Sequence, residues 1–304
     1  MTVLRLGTRK SLMAMTQSQL VADALSERTG HAVELVGVTT EGDVSKALLA
    51  QIGGTGVFVN ALRDTLLGGE VDFAVHSLKD LPTGPAEGIA LAATPRRDDP
   101  RDALCGPVKL ADLPTGARIG TGSPRRVAQL RALRPDLNVV PIRGNADTRL
   151  RKVTDGELDA VVLAYAGLKR IDRLEAVAEI FEPDQMLPAP GQGSLALECR
   201  ADRADLRELL GTVDDRATRA AVTAERTVLA VLEAGCSAPV GAYAAEVEQK
   251  LHLTAAVVAH DGSRQVRLSA SGHLDEAEQL GRDLAARLLG QGADQLMGER
   301  LEPQ

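Results

Sequence analysis

From Val3 to about Pro95, short apolar runs alternate with stretches that repeat their apolar residues every three or four positions. Residues 4–6, 33–38 and 71–75 have the pattern of strands, and 11–28 and 57–67 that of helices. The alternation resumes from about Asp98 to Gly193, where 118–120, 138–142 and 160–163 predict strands and 124–134 and 146–154 predict helices. Strands alternating with helices imply βαβ units and mainly parallel sheets. A third stretch opens on a helical pattern at 216–232 and breaks at Gly235. Two strands follow, 251–259 and 265–271, around the hairpin signal His260-Asp261-Gly262-Ser263, and a helix at 275–289 closes the chain. This last stretch predicts a small α+β domain, with Cys236 near its junction.

The first two stretches echo each other. Arg5-Leu6-Gly7-Thr8-Arg9 is similar to Arg118-Ile119-Gly120-Thr121-Gly122, and Gly69-Glu70-Val71-Asp72 to Gly156-Glu157-Leu158-Asp159. The two separations differ, so there is no solenoid period. Two similarly built lobes facing a cleft account for the echo, by distant duplication or by chance likeness between α/β lobes.

Composition narrows the function. The 304 residues exceed one small core, and 44% hydrophobic with 25% charged residues describes a folded chain. Aromatics at 2%, with no Trp, leave the cores to Leu, Val, Ile and Ala and argue against base-stacking surfaces. A net charge of -7 has the wrong sign for a general nucleic-acid or anionic-membrane binder. The opening Met1-Thr2-Val3-Leu4-Arg5 offers no apolar signal and no run is long enough to span a bilayer, so the cytoplasm is the expected address. Cys105, Cys199 and Cys236 are far apart and form no CxxC, which suggests neither a disulfide framework nor a zinc site.

The overall acidity conceals a basic region. Between Arg118 and Lys152 also lie Arg125, Arg126, Arg131, Arg134, Arg143, Arg149 and Arg151, against only Asp136 and Asp147. The guanidinium fork matches carboxylate or phosphate with two parallel hydrogen bonds. Thr121-Gly122-Ser123-Pro124-Arg125-Arg126 would gather backbone N–H groups, hydroxyls and two guanidiniums around an anion at a helix start. Arg131, Arg134 and Arg151 read as solvated helix faces, whereas Arg125, Arg126, Arg143 and Arg149 take loop positions suited to a ligand. Arg9-Lys10-Ser11 repeats the arrangement in the first lobe. A polyanion is implied, phosphate or carboxylate. Gly53-Gly54-Thr55-Gly56 lacks the Gly-Lys-Ser/Thr ending of a phosphate loop and reads as a flexible loop.

His76-Ser77-Leu78-Lys79-Asp80-Leu81-Pro82 follows directly on the strand at 71–75, where open α/β sheets place their ligands. An isolated Lys-Asp pair is an ordinary salt bridge, but this concentration of polar groups at a strand end favours a site. Cys199 fits a small buried hydrophobe, and Cys105 is ambiguous. Cys236, in Gly235-Cys236-Ser237-Ala238-Pro239, fits that reading least. A helix C-terminus does not depress a thiol pKa, so reaction at Cys236 requires a strong electrophile or basic neighbours from another lobe.

Taken together, the motifs resemble the porphobilinogen deaminase (hydroxymethylbilane synthase) family over essentially the whole chain. They are Leu6-Gly7-Thr8-Arg9-Lys10-Ser11, Val75 to Pro82, Ser123-Pro124-Arg125-Arg126, Arg143-Gly144-Asn145 with Thr148-Arg149-Leu150, Leu187-Pro188-Ala189-Pro190-Gly191-Gln192-Gly193, and Glu233-Ala234-Gly235-Cys236. Any one is weak, but their joint order is specific. The resemblance implies an α/β fold of two periplasmic-binding-protein-like lobes with a central cleft plus the small α+β domain. Residues 1–95 with 194–211, 96–193 and 216–304 would be the three domains.

It also implies a monomeric transferase of tetrapyrrole and heme biosynthesis with a dipyrromethane cofactor joined to Cys236 by a thioether. Porphobilinogen units are added with loss of ammonia, and hydroxymethylbilane is released. Asp80 would be catalytic, suited to the cationic azafulvene left when ammonia departs, which is also the electrophile Cys236 needs. Ser77, Lys79, Asp80, Thr121, Ser123, Arg125, Arg126 and Arg149 would hold the cofactor. Arg9, Ser11, Arg143, Arg149, Arg170 and Gln192 would take the substrate's carboxylates. Thr55 and Asn60 stand where many relatives carry lysine, and Gly122 and Pro124 where Ser and Leu are expected.

Overall fold

The first strand, β1 (Leu4–Arg9), buries Leu4 and Leu6 on one face of a sheet. Helix α1 (Leu12–Thr29) follows at once because Ser11 caps it, its hydroxyl accepting the Ala14 amide, and Gly30 ends it in the left-handed region. The computed structural model describes residues 3–39, 56–234 and 238–298. Next come β2 (Val33–Val38), parallel to β1, and α2 (Gly56–Leu67). A turn at Gly69 then leads into β3 (Phe73–Ser77), also parallel to β1, and later β4 (Ile89–Ala93). The strand expected at 71–75 thus starts two residues later, because Asp72 is held outside it by Arg5, whose amide and guanidinium both reach the Asp72 carboxylate. His76 and Ser77 belong to the strand itself, and Leu78–Asp80 is a 3-10 turn at its end.

The second unit contains the same plan. It is built from β5 (Asp102–Cys105), β6 (Arg118–Gly120), α3 (Pro124–Leu133), β7 (Asn138–Val140), α4 (Ala146–Thr154), β8 (Ala160–Ala164), α5 (Tyr165–Arg170) and β9 (Val177–Ile180). The chain then returns to the first sheet with β10 (Leu195–Arg200), which lies antiparallel between β3 and β4. The strand orders are β2-β1-β3-β10-β4 and β7-β6-β8-β5-β9. Each sheet therefore has three parallel strands, then one antiparallel strand, then a closing edge strand. Four of the five strands in each sheet thus run the same way, in line with the expectation of mainly parallel sheets, and only β10 and β5 are reversed. In both, the antiparallel strand is the one that opens just after the chain crosses between units, β5 after 98 and β10 after 193.

One compact unit comprises residues 1–98 and 194–219, the other 99–193 and 220–304. In the first, side chains alternate across the sheet. Phe73, Val75, Leu195, Leu197 and Cys199 pack toward α1 and α6 (Ala204–Gly211), while Ala74 meets Leu62 and Leu66 of α2. The second unit carries a further antiparallel sheet, β11 (Val240–Val247), β12 (Lys250–Val258) and β13 (Gln265–Gly272), in that order. A separate core packs it against α7 (Arg216–Val231), α8 (Ala277–Gly290) and α9 (Ala293–Gly298). Within this unit Gly241 lies so close to Leu187 that a Cβ there would stand 2.7 Å from the Leu187 Cβ. No helix among the described residues is long and apolar enough to cross a membrane.

Candidate active site

In the first unit the groups singled out from the sequence gather at the ends of β1 and β3. The turn bearing Asp80 is held from three directions. Ser77 exchanges hydrogen bonds with the Gln17 carboxamide of α1 at 3.2 and 3.3 Å. The Leu78 amide donates to the Ser194 carbonyl at 3.0 Å, and the buried Leu78 side chain anchors the turn from below. His76, just before, faces Glu198 of the neighbouring strand β10 at 3.3 Å. Half-buried Asp80 then projects a carboxylate with no hydrogen-bond or ion-pair partner among the described residues. Arg9 ends β1, and the Ser11 hydroxyl caps α1.

The second unit concentrates positive charge at the start of α3 and around α4. Arg125 and Arg126 correct the loop reading: both lie in the first turn of α3, at 3% and 5% exposure. They share the wholly buried Asp102 carboxylate, Arg125 at 2.7 Å and Arg126 at 2.7 and 3.0 Å. Burial alone would raise the Asp102 pKa, but the two guanidiniums hold it well below the carboxylate range. Carbonyls of Leu187 and Val162 accept further N–H groups, yet the buried Arg125 Nε has no partner among the described residues. Two cations against one carboxylate leave one positive charge in excess.

Arg149 lies within α4 rather than in a loop, its Nε donating to the Gly144 carbonyl at 2.9 Å. Burial, then repulsion from Arg126 and Arg143, lowers its pKa. These three guanidiniums are therefore near neighbours whose field favours an anion. Thr121 is buried, its hydroxyl accepting the Ser123 amide at 3.2 Å, and Ser123 precedes Pro124 at the helix start without a side-chain capping bond. Gly122 has a reason to depart from serine: a Cβ there would stand 2.8 Å from the Ile142 carbonyl, beside the Arg143 loop. Arg170, at the end of α5, donates to the Gly193 carbonyl at 2.7 Å. Gln192 is 1% exposed, and its amide nitrogen donates to the Pro100 carbonyl and to Asp102. Arg131 and Arg134 also differ from solvated faces, since they donate to the carbonyls of His260 and of Leu110 and Leu113.

Two family models match the chain. Residues 4–208 match "Porphobilinogen deaminase, dipyromethane cofactor binding domain", and residues 219–290 match "Porphobilinogen deaminase, C-terminal domain". The porphobilinogen deaminase of Thermobifida fusca (strain YX) is 62% identical over 98% of this chain and 97% of its own. Porphobilinogen deaminase 1 of Streptomyces coelicolor is 57% identical over 98% of each. The chain belongs to the porphobilinogen deaminase family. It is therefore a transferase of tetrapyrrole and heme biosynthesis that polymerises porphobilinogen with loss of ammonia on a dipyrromethane primer and releases hydroxymethylbilane. Among solved structures, a periplasmic substrate-binding protein from Coxiella burnetii aligns with 69% of this chain and 91% of its own at 13% identity, with a TM-score of 0.44.

The chemistry of a porphobilinogen deaminase fits the second unit's donors. Pyrrole acetates and propionates are carboxylates, and the Arg125 Nε, unpartnered among the described residues, and the mutually repelling guanidiniums of Arg126, Arg143 and Arg149 are donors suited to them. Cys236 and Thr55 lie outside the described residues, as does most of the glycine-rich loop before α2. Asn60 is exposed on α2. Cys199 is buried as expected, and Cys105 proves buried too, its thiol pushed up to about 12 by burial. Sequence reasoning missed Asp102, Glu198 and Gln17. No motif marks them, and Asp102 is one of three acids between 98 and 102 without a distinguishing neighbour, save that it alone opens a strand.

Proposed function

We propose that Asp80 carries the chemistry of this porphobilinogen deaminase and that Cys236 holds its dipyrromethane through a thioether. The observation that supports this best is the Asp80 carboxylate, unpartnered among the described residues, on a turn fixed from three directions. A carboxyl group so placed, in its acid form, delivers a proton to the departing amine of porphobilinogen. The carboxylate that this leaves stabilises the positive charge and then takes up a pyrrole ring proton, which restores the acid. Bound dipyrromethane supplies the primer for pyrrole addition. Lys79, Thr121, Ser123, Arg125, Arg126 and Arg149 hold its polar edges, and Arg9, Arg143, Arg149 and Arg170 take the carboxylates of incoming units. Ser11, Ser77 and Gln192 act one step removed, through the α1 cap, Gln17 and Asp102. The working protein on this reading is a cytoplasmic monomer of three domains, residues 1–95 with 194–211, 96–193 and 216–304.

Intact mass spectrometry tests the attachment and Asp80→Asn the chemistry. The purified protein should exceed its sequence mass by one dipyrromethane, and Cys236→Ala should remove the excess. Asp80→Asn should keep both fold and added mass while losing most turnover. A fully active protein of unmodified mass would overturn the attachment, and near-normal turnover in Asp80→Asn would remove Asp80 from the mechanism.

A further inference from the structure

Behind the Asp80 turn lies a buried cluster that the proposed chemistry does not use. Glu198 on β10, 3% exposed, accepts both arms of the Arg63 guanidinium from α2, at 2.9 and 2.6 Å. Its Oε2 also stands 3.3 Å from Nε2 of buried His76 on β3, an electrostatic contact rather than a hydrogen bond, since that nitrogen has no hydrogen-bond partner among the described residues. Strand alternation explains the meeting. Phe73 and Val75 point toward α1, so Ala74 and His76 point toward α2; Leu195 and Leu197 likewise leave Glu198 on the α2 side.

The rest of that face is apolar, with Leu62, Leu66 and Ala74 packed together. Well-packed apolar groups would have stabilised the sheet as well as an ion cluster does, because removing charges from water offsets most of their mutual attraction. Stability therefore does not account for the cluster, whereas its place in the chain does. His76 is the fourth residue before Asp80, and the intervening Ser77 and Leu78 are held by other elements, α1 and the Ser194 carbonyl. The cluster supplies the third hold, on the side that α2 covers.

We propose that Glu198 is a positioning residue for Asp80: gripped by Arg63, it fixes the His76 imidazole and with it the end of β3 from which the Asp80 turn projects. The inference rests on the reading that Asp80 carries the chemistry. Burial alone would raise the Glu198 pKa, but His76 and Arg63 outweigh it and hold the group at about 2, so it stays ionised at working pH.

A double-variant cycle on the holoenzyme tests it. Glu198→Gln should lower kcat about tenfold, leave KM for porphobilinogen within about twofold, and leave the attached dipyrromethane mass unchanged. In an Asp80→Asn background the same substitution should cost less than about twofold, because its effect passes through the missing carboxylate. If Glu198→Gln fails to give a cooperative melt, His76→Gln interrupts the same link while keeping the Arg63 pair, and should give the same pattern. Equal losses in both backgrounds, a change carried by KM, or loss of the attached group would overturn the proposal and leave Asp80 in its role. Full turnover of Asp80→Asn would sink both.

Discussion

Single residues of this chain work through buried charge as much as through exposed charge. Asp102 holds Arg125, Arg126 and the Gln192 amide at once, with no exposure to water. Removing its charge would leave two buried guanidiniums with no acid to face. Breaking one partner of such a group costs about 3–5 kcal/mol. Asp102→Asn should therefore lower the unfolding free energy by an amount in that range, read from the fall in the urea midpoint at unchanged m-value. An unchanged midpoint would mean the arginines find other acceptors or water. Arginine pairs like these are easily taken for ligand contacts in a sequence, since nothing in Arg125-Arg126 announces the acid 23 residues upstream. The part that sequence does convey is Asp80. Its surroundings are polar along the chain itself, and it needs no distant partner.

At the level of elements, the longer helices are the readable part, while the short α5, α6 and α9 escape. The spacing of apolar residues placed α4 at its observed bounds and α1, α2, α3 and α7 within a residue or two. Four strands, β4, β5, β9 and β11, escaped. β5 is Asp-Ala-Leu-Cys, four residues buried on both faces, so it has no alternation to read, and β9 is equally short. β10 became legible only through family resemblance, because its role depends on pairing with strands far away in sequence. Contacts between elements also yield a prediction. β11 runs so close to the loop at Leu187 that Gly241 has no room for a side chain, and that loop's carbonyl accepts both Arg125 and Gln129. Gly241→Ala should destabilise by about 1–3 kcal/mol through overpacking, seen as a lower Tm. A wild-type Tm would show that the Leu187 loop gives way without strain.

For the whole molecule, the two units share a device: each buries an acid on its antiparallel strand, Glu198 on β10 and Asp102 on β5, paired with cations. Both carboxyls have folded-state pKa values below their unfolded ones. A depressed acid stabilises fully above its unfolded pKa and loses that contribution as pH falls toward the folded value. For Glu198 the window runs from about 4.5 down to about 2. The Tm should therefore be nearly level above that window and fall by several degrees within it. Glu198→Gln should flatten part of the fall. Identical slopes for the two proteins would show that Glu198 does not titrate in this way.

The late arrival of β10 has a consequence for synthesis. β4 pairs only with β10 among the described strands, and β3 has β10 as its second neighbour. A nascent chain that ends before residue 195 thus holds three parallel strands with one edge open and a fourth strand with no mate. At about 5–20 residues per second, roughly the first ten to forty seconds of translation pass before that edge can close. Throughout this interval the ribosome carries an unfinished sheet, and the second sheet, whose five strands all lie between 102 and 180, can be completed first. The amino-terminal five-stranded sheet, first to be begun, is thus the later of the two to close.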